Sequence, residues 1–326
     1  MTSELVDPAG GTPISSRRVN RISPLSLVGL SVFGVIVIAC LAAPLYAHLV
    51  AGTDPNANHL SDVITIDGRQ LPVVSDLGIP IGPTWHAQFL LGADGNGLYI
   101  AFRLLDGGRT TLLIGVVAAA LTVAFGALLG GLAGYHRGLV DAVISRFLDL
   151  LWAYPVVLLG IALGTALTLG GLKIGPLFIG GDSLVLPILV IGIVYIPYVA
   201  RPIRSQVLLL RETDFIRAAK VLGKRNTSIL ATEVLPNILP AMIVFVPLLI
   251  ANAILLEAGL SYLGAGVQAP NSSWGTMIAS GVQVLISSPG QLFAPTVMLV
   301  ATTVSLNFVG EGIRAAGAPS SLTMKG

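Results

Sequence analysis

Residues 201–236 read RPIRSQVLLLRETDFIRAAKVLGKRNTSILATEVLP, and they lie between two apolar stretches of membrane grade. The segment holds seven of the chain's 18 Lys and Arg residues: Arg201, Arg204, Arg211, Arg217, Lys220, Lys224 and Arg225. Charge at this density is costly in hydrocarbon, so the chain must leave a bilayer here and return to it. Within the segment the pattern is a charged helix, a break at Gly223, a second short helix and re-entry at Leu235-Pro236. Such a segment offers a stiff projection to a soluble partner.

Composition agrees with that reading. Charged residues make up 10% of the 326, against roughly 25% in a soluble domain, and apolar residues make up 54%. Mean hydropathy is +0.87. The class is therefore a polytopic membrane protein. A span needs about 20 mostly apolar residues, and six segments qualify: 25–47, 111–134, 143–165, 184–200, 237–256 and 291–310. The first is too long for a signal-peptide core and no small-residue cleavage site follows it, so it reads as a retained span. The fold class expected is all-α, with six transmembrane helices. The divisions expected are a cytoplasmic disordered tail at 1–24, a first helix at 25–47 and an outer loop at 48–110. A five-span core follows at 111–310, with a tail at 311–326.

Lys and Arg set the orientation. If six spans alternate, one side carries only Arg69, Arg103, Arg109 and Lys173. The other carries the basic segment together with Arg17, Arg18, Arg21, Arg137, Arg146, Arg314 and Lys325. Both termini and the 201–236 segment are thus expected in the cytoplasm of a cell whose plasma, or inner, membrane holds the protein. The first outer loop carries turn chemistry at Asp54-Pro55, Asp67-Gly68 and Gly82-Pro83, enough for a small subdomain. Its end, Leu91 to Arg109, reads as a short surface helix before the second span. The outer loop at 258–290 is Gly, Ser and Pro rich yet holds Tyr262, Leu263 and Trp274, which predicts a re-entrant turn and short helix.

Ionisable groups in spans are candidates for function. Arg146 and Asp149 are i,i+3 neighbours that can pair on one face, either structurally at the interface or functionally. Glu257 ends the fifth span, facing a translocation path or reaching the headgroups. Gly115, Gly126, Gly130 and Gly134 share a helical face, which suits close packing within the chain or against another subunit. Ser261, Asn252 and Gln268 are further candidates for contact with a transported solute.

Several chemistries are missing. His48, His59, His86 and His136 do not fall at metal-ligand spacing, and the single Cys40 offers no thiolate cluster. No G-x-S-x-G and no G-x-x-x-x-G-K-[ST] occurs; the only Gly-Lys pair, Gly223-Lys224, is followed by Arg225. Any ATP-driven work must use another chain's ATPase. A membrane enzyme lacks its catalytic residues here, and a stand-alone ion-coupled carrier would need midplane acids or histidines that the spans hardly contain.

Residues Asp214 to Gly223 with Leu235-Pro236 resemble the EAA motif of ABC importer permeases: Ala218, Ala219, Gly223, Leu235 and Pro236 fall at its spacing. Arg217 stands where the family has Glu, and Glu233 where it has Ile. Other stretches resemble the "C"-type dipeptide and oligopeptide permeases. They are Leu91–Asp94 with Gly97, Arg103, Gly108 and Arg109; Asp141, Arg146, Asp149 and Pro155; Leu256–Pro270 with Trp274-Gly275; and Gly310–Arg314. This chain has Gly97-Leu98-Tyr99 where the family usually has Gly-Arg-Asp, and its first outer loop is longer. The resemblance covers about residues 25–315. It implies a type I ABC importer permease fold that forms half of a pore with a homologous permease, as a heterodimer. Two ABC ATPase subunits would bind ATP and Mg on the cytoplasmic side, so this chain would be no enzyme and hold no cofactor. A solute-binding protein would dock outside. Asp214, Arg217, Ala218, Ala219, Gly223, Leu235 and Pro236 would form the ATPase-coupling element. The cargo implied is di- or oligopeptide, with a nickel complex, glutathione or another small solute as the alternative, and no nucleic-acid partner.

Overall fold

A computed structural model describes residues 23–51, 57–66, 68–86, 89–286 and 288–317. Residues 1–22 of the tail expected to be disordered, with Arg17, Arg18 and Arg21, lie outside the described residues, as do Lys325, the Asp54-Pro55 turn and Asp67; Pro24, assigned to that tail, is instead the first residue of α1.

The helices, in chain order, are α1 (Pro24–Leu41), α2 (Ala43–Tyr46), α3 (Ile100–His136), α4 (Gly138–Trp152) and α5 (Val156–Gly170). Then come α6 (Val185–Val194), α7 (Ile196–Leu210), α8 (Asp214–Val221), α9 (Asn226–Ile229), α10 (Leu235–Ile243), α11 (Val246–Tyr262), α12 (Trp274–Gln283) and α13 (Gly290–Gly317). Two short antiparallel hairpins decorate the connections: β1 (Val63–Ile66) with β2 (Arg69–Pro72), and β3 (Leu172–Ile174) with β4 (Leu177–Ile179).

By length and composition α1, α3 and α13 can each cross a bilayer alone. Three more crossings are bent pairs: α4 with α5 at 90°, α6 with α7 at 40°, and residues 226–243 with α11 at 62°. The expected count of six is met in this form, with changed shapes. The 143–165 span is a sharp elbow, because Pro155 disfavours helical geometry in the residue before it and denies an amide to the turn behind it. Pro197 and Pro247 sit just past the other two breaks. A correction falls on Leu91–Arg109: no separate surface helix forms there. Residues 100–109 are the first turns of α3, and Ala93 bridges to Tyr99 before it.

Packing centres on α3, whose glycine face is used within the chain. A Cβ at Gly126 would come 2.6 Å from Val199 Cβ, and one at Gly134 would come 2.8 Å from the Arg204 carbonyl, so α7 can lie against α3 only because these positions are bare. Gly115 meets a different neighbour, Ile254 of α11. Thr122 donates to the Gly192 carbonyl at 3.0 Å and ties α3 to α6. The loop before α3 shares a small core with α2 and α3, built from Ala43, Ile64, Val73, Phe89, Ala93, Tyr99 and Phe102, with Phe89 stacked on Tyr99 at 3.9 Å between ring centres.

Candidate functional site

The basic segment projects from the bundle as a two-sided knob. On α8, Ile216 and Ala219 point inward and are buried with Val207, Ile229, Val234 and Ile238. Asp214, Arg217 and Ala218 are exposed on the opposite side. Ala219 is therefore a packing residue under the knob, whereas Ala218 lies on its outer surface. Leu235 is half-buried against the core and Pro236 is exposed, opening α10 where a missing amide costs nothing.

The end of α8 is closed by a paired backbone bond set. Gly223 N donates to the Lys220 carbonyl at 3.0 Å and Lys224 N to the Ala219 carbonyl at 3.1 Å. Gly223 has φ +76°, which a side chain would oppose. This is the Schellman arrangement, and it satisfies carbonyls that the helix end leaves free. It also turns the chain so that Val221 and Leu222 stand out, 88% and 80% exposed, beside Phe215 at 43%. The motif spacing marks neither Val221 nor Leu222 as a contact residue. Their signal lay in the break itself, since apolar residues just before a helix-ending glycine have no interior to enter.

Charges brace the knob from behind. Glu212 accepts from Arg137 at 3.2 Å and lies 3.5 Å from Arg211 and 3.7 Å from Arg217. Arg217 also lies 3.8 Å from Asp214. Lys224 donates to Glu233 at 2.7 Å across the glycine turn. Both residues that depart from the resemblance, Arg217 and Glu233, are thus partnered inside the chain. Tyr135, buried at the end of α3, locks the knob to the bundle. Its carbonyl accepts from Arg211 at 2.9 Å, its hydroxyl donates to Asn226 at 3.1 Å, and Lys220 sits 5.5 Å over its ring.

A second set of ion pairs ties α4 to α7. Arg204 donates twice to Asp141, at 2.6 and 2.7 Å, and Ser145 donates to the same carboxylate at 3.0 Å. Arg201 donates to Asp149 at 2.8 Å and lies 4.5 Å from the Trp152 ring centre. The Arg146–Asp149 pair expected from spacing is not formed. Arg146 is exposed, and the α7 guanidinium takes its place because α7 packs along α4.

Glu257 meets neither expectation. It is fully buried and joins a polar knot at the opposite end of the bundle from α8. Thr111 donates to it at 3.0 Å and Ser261 at 2.7 Å, while Trp274 N donates to Thr111 at 3.1 Å and Val267 N to Ser261 at 2.9 Å. The predicted short helix of the 258–290 loop is α12. It starts at a capping box of Ser273 and Thr276, and Trp274 is sealed beneath it with Nε1 donating to the Leu104 carbonyl at 2.9 Å. Ser261 belongs to this knot, and the Gln268 amide is spent on the carbonyls of Gly264 and Gly266. Asn252, the third solute-contact candidate, lines a cleft.

Residues 126–320 match the family described as binding-protein-dependent transport system inner membrane component. Among similar curated proteins is the dipeptide transport system permease protein DppC of Alkalihalophilus pseudofirmus. It is 33% identical over 95% of this chain and 94% of that protein. The oligopeptide transport system permease protein OppC of Bacillus subtilis is 30% identical over 90% of this chain and 85% of its own length. The probable D,D-dipeptide transport system permease protein DdpC of Escherichia coli is 32% identical over 90% and 86%. A solved structure of the inward-facing MetNI methionine ABC transporter aligns with a TM-score of 0.53 at 18% identity, covering 67% of this chain and 97% of that one; the likeness is one of fold.

Proposed function

Since this chain belongs to the binding-protein-dependent transport system inner membrane component family, we propose that it forms half of a peptide-conducting pore and that its α8 knob receives an ATPase subunit. The chain is a membrane permease subunit of an ABC importer. The finer reading has a homologous permease as its pore partner, two ATPases that bind ATP and Mg, and an external solute-binding protein. Both termini and the knob lie in the cytoplasm. Di- and oligopeptides are the cargo, in line with the names of the relatives.

The observation that carries the docking role is the two-sidedness of the knob. Ile216 and Ala219 fasten it to the bundle while Phe215, Val221 and Leu222 present an apolar tip ringed by Arg217, Lys220 and Arg225. An exposed apolar cluster rimmed by charge suits a protein partner, and the charge asks for an acidic rim on that partner. Closure of the ATPase pair would push the knob. The push enters α7 through Arg211 and Glu212, α4 through the Asp141 and Asp149 pairs, and α3 through Tyr135. The response is rigid-body rocking about the three helix breaks.

Co-purification tests this reading. The chain expressed with its partner permease and the ATPases should hold the ATPases through detergent extraction, and Leu222→Asp should lower their yield at least about tenfold, as loss of a central apolar anchor does. ATPases retained in full by both Val221→Asp and Leu222→Asp would place the dock elsewhere.

A further inference from the structure

A groove of about 590 Å³ lies along the bundle between α1 and α3. Cys40 and Leu112 form its floor and are buried. Helix α1 reaches α3 at that level because Gly108 is bare: a Cβ there would come 2.5 Å from Cys40 Sγ and 2.8 Å from the Trp274 ring. Phe33 and Val37 of α1 make one wall, and Leu113, Val116 and Val117 of α3, all exposed, make the other.

Polarity changes once along this groove. Asp106, Arg109, Thr110 and Asn271 stand together at the α12 end. Asn271 is held level with the others because Ser272 and Ser273 lie against Gly107, and its amide donates to the Asp182 carbonyl at 3.1 Å. Deeper in, every lining residue is apolar. The step falls at the start of the 111–134 apolar segment, where hydrocarbon begins. Val117 lies about 12 Å below Arg109 along α3, at 1.5 Å per residue. Half of a hydrocarbon layer of about 30 Å is about 15 Å, so the groove has the depth of one leaflet and ends there. A path for cargo would have to continue through the bilayer. The polar end also carries both signs of charge. Arg109 donates to Asp106 at 3.3 Å, and an exposed pair of this kind contributes little to stability and can open to other ions.

We propose that this groove binds one phosphatidylethanolamine molecule from the leaflet at the α12 end of the bundle. One acyl chain lies against Phe33, Val116 and Val117. Arg109 donates to the phosphate and Asp106 accepts from the ammonium, both as charge-assisted bonds. The occupant is argued from a match of two kinds: an apolar wall one leaflet deep, and a rim whose paired charges complement a zwitterion. An anionic head group without an amine would set its charge beside Asp106 with nothing to offer that carboxylate, and a choline has no N–H to donate. The lipid fills the space between α1 and α3 beside the Trp274 lock, so its binding stabilises that end of the bundle. The inference is independent of which cargo the pore carries.

The test uses this chain with its homologous permease and the ATPases, purified in mild detergent and stripped of lipid. Dioleoyl phosphatidylethanolamine, phosphatidylcholine and phosphatidylglycerol are added back one at a time, with bound lipid read by native mass spectrometry and thermal resistance read alongside. Phosphatidylethanolamine should bind about tenfold more tightly than either of the others, the size expected for one charge-assisted bond, and should raise thermal resistance most. A phosphatidylethanolamine carrying a diazirine on its acyl chain should label Phe33, Val116 or Val117. Arg109→Gln should weaken its binding about tenfold, Asp106→Asn should erase its advantage over phosphatidylglycerol, and Val116→Trp, which fills the groove at an exposed position, should prevent its retention. Equal binding of the three lipids, labelling confined to other residues, or retention unchanged in all three variants would each overturn the proposal. So would Val116→Cys cross-linking to the homologous permease while the photoreactive lipid leaves the groove unlabelled, since the groove would then be a seam between the two permeases. The comparison of head groups and the labelling use the unaltered chain, so they decide the matter even if a variant fails to fold.

Discussion

The two ends of the bundle are held by opposite kinds of polar contact. At the α8 end, carboxylates and guanidinium groups meet at an exposed surface, several of them sharing Glu212, and the tip beyond them is apolar and open. At the α12 end, one buried carboxylate is surrounded by hydroxyls, and an indole closes over them without a gap. Exposed ion pairs contribute little to stability and tolerate rearrangement. A buried, saturated network is rigid and costly to open. The α8 end can therefore rearrange at low cost, as the proposed docking role asks of it, and the α12 end stays whole.

Substitutions that separate these roles come in descending size. Gly223→Pro should abolish both transport and ATPase stimulation while membrane insertion is normal, because proline cannot adopt φ +76° and removes the amide that closes α8. Gly223→Ala should retain part of both activities, at a backbone cost of about 1 kcal/mol. Normal transport by Gly223→Pro would mean the α8 terminator has no part in coupling. At the other end, Trp274→Ala should destabilise the purified protein by about 3–5 kcal/mol, read as loss of thermal resistance in detergent. The surviving folded protein should still bind ATPases, since α8 is remote from it.

Glu257→Ala should cost about 1–3 kcal/mol by orphaning Thr111 and Ser261, and Glu257→Gln should recover most of that, because hydroxyls can turn to serve an amide. If Glu257→Gln instead stops transport without loss of thermal resistance, the carboxylate has a role beyond the lock. The smallest effect is expected from Asp141→Asn. It should weaken the α4–α7 tie by about 1 kcal/mol and lower cargo moved per ATP more than it lowers thermal resistance. Equal changes in the two readouts would make the tie merely structural.

The spans and the knob were legible in the chain itself, since hydropathy fixes which segments enter lipid and the Ala218–Pro236 spacing fixes the turn. The bends were visible only as prolines: Pro155 announces a break, but the 90° angle depends on what α4 and α5 pack against. Arg146 and Asp149 are neighbours by spacing, yet the pairing went to Arg201, 52 residues away, because tertiary proximity outranks helical register when a guanidinium lies across the interface. Glu257 looked like a pore or headgroup residue because no local pattern reveals Thr111, 146 residues earlier, as its partner. Ala218 and Ala219 are indistinguishable as residues. Only the packing of Ile216, Ile229 and Val234 decides which of them faces in.

Helix α3 has 37 residues and not one proline, so it is a rod of about 55 Å passing through a hydrocarbon layer of about 30 Å. Tyr135 grips the knob at one end, and Leu104 and Thr111 sit in the Trp274 lock at the other. Three of the crossings are jointed, and this one is not. A tilt of about 5° about one end sweeps the far end by about 5 Å on that length, the width of one helical turn. Leverage of this kind needs no chain of side-chain rearrangements through the bilayer. It needs only that the rod stay straight and that its bearing be the bare glycine face running along α7.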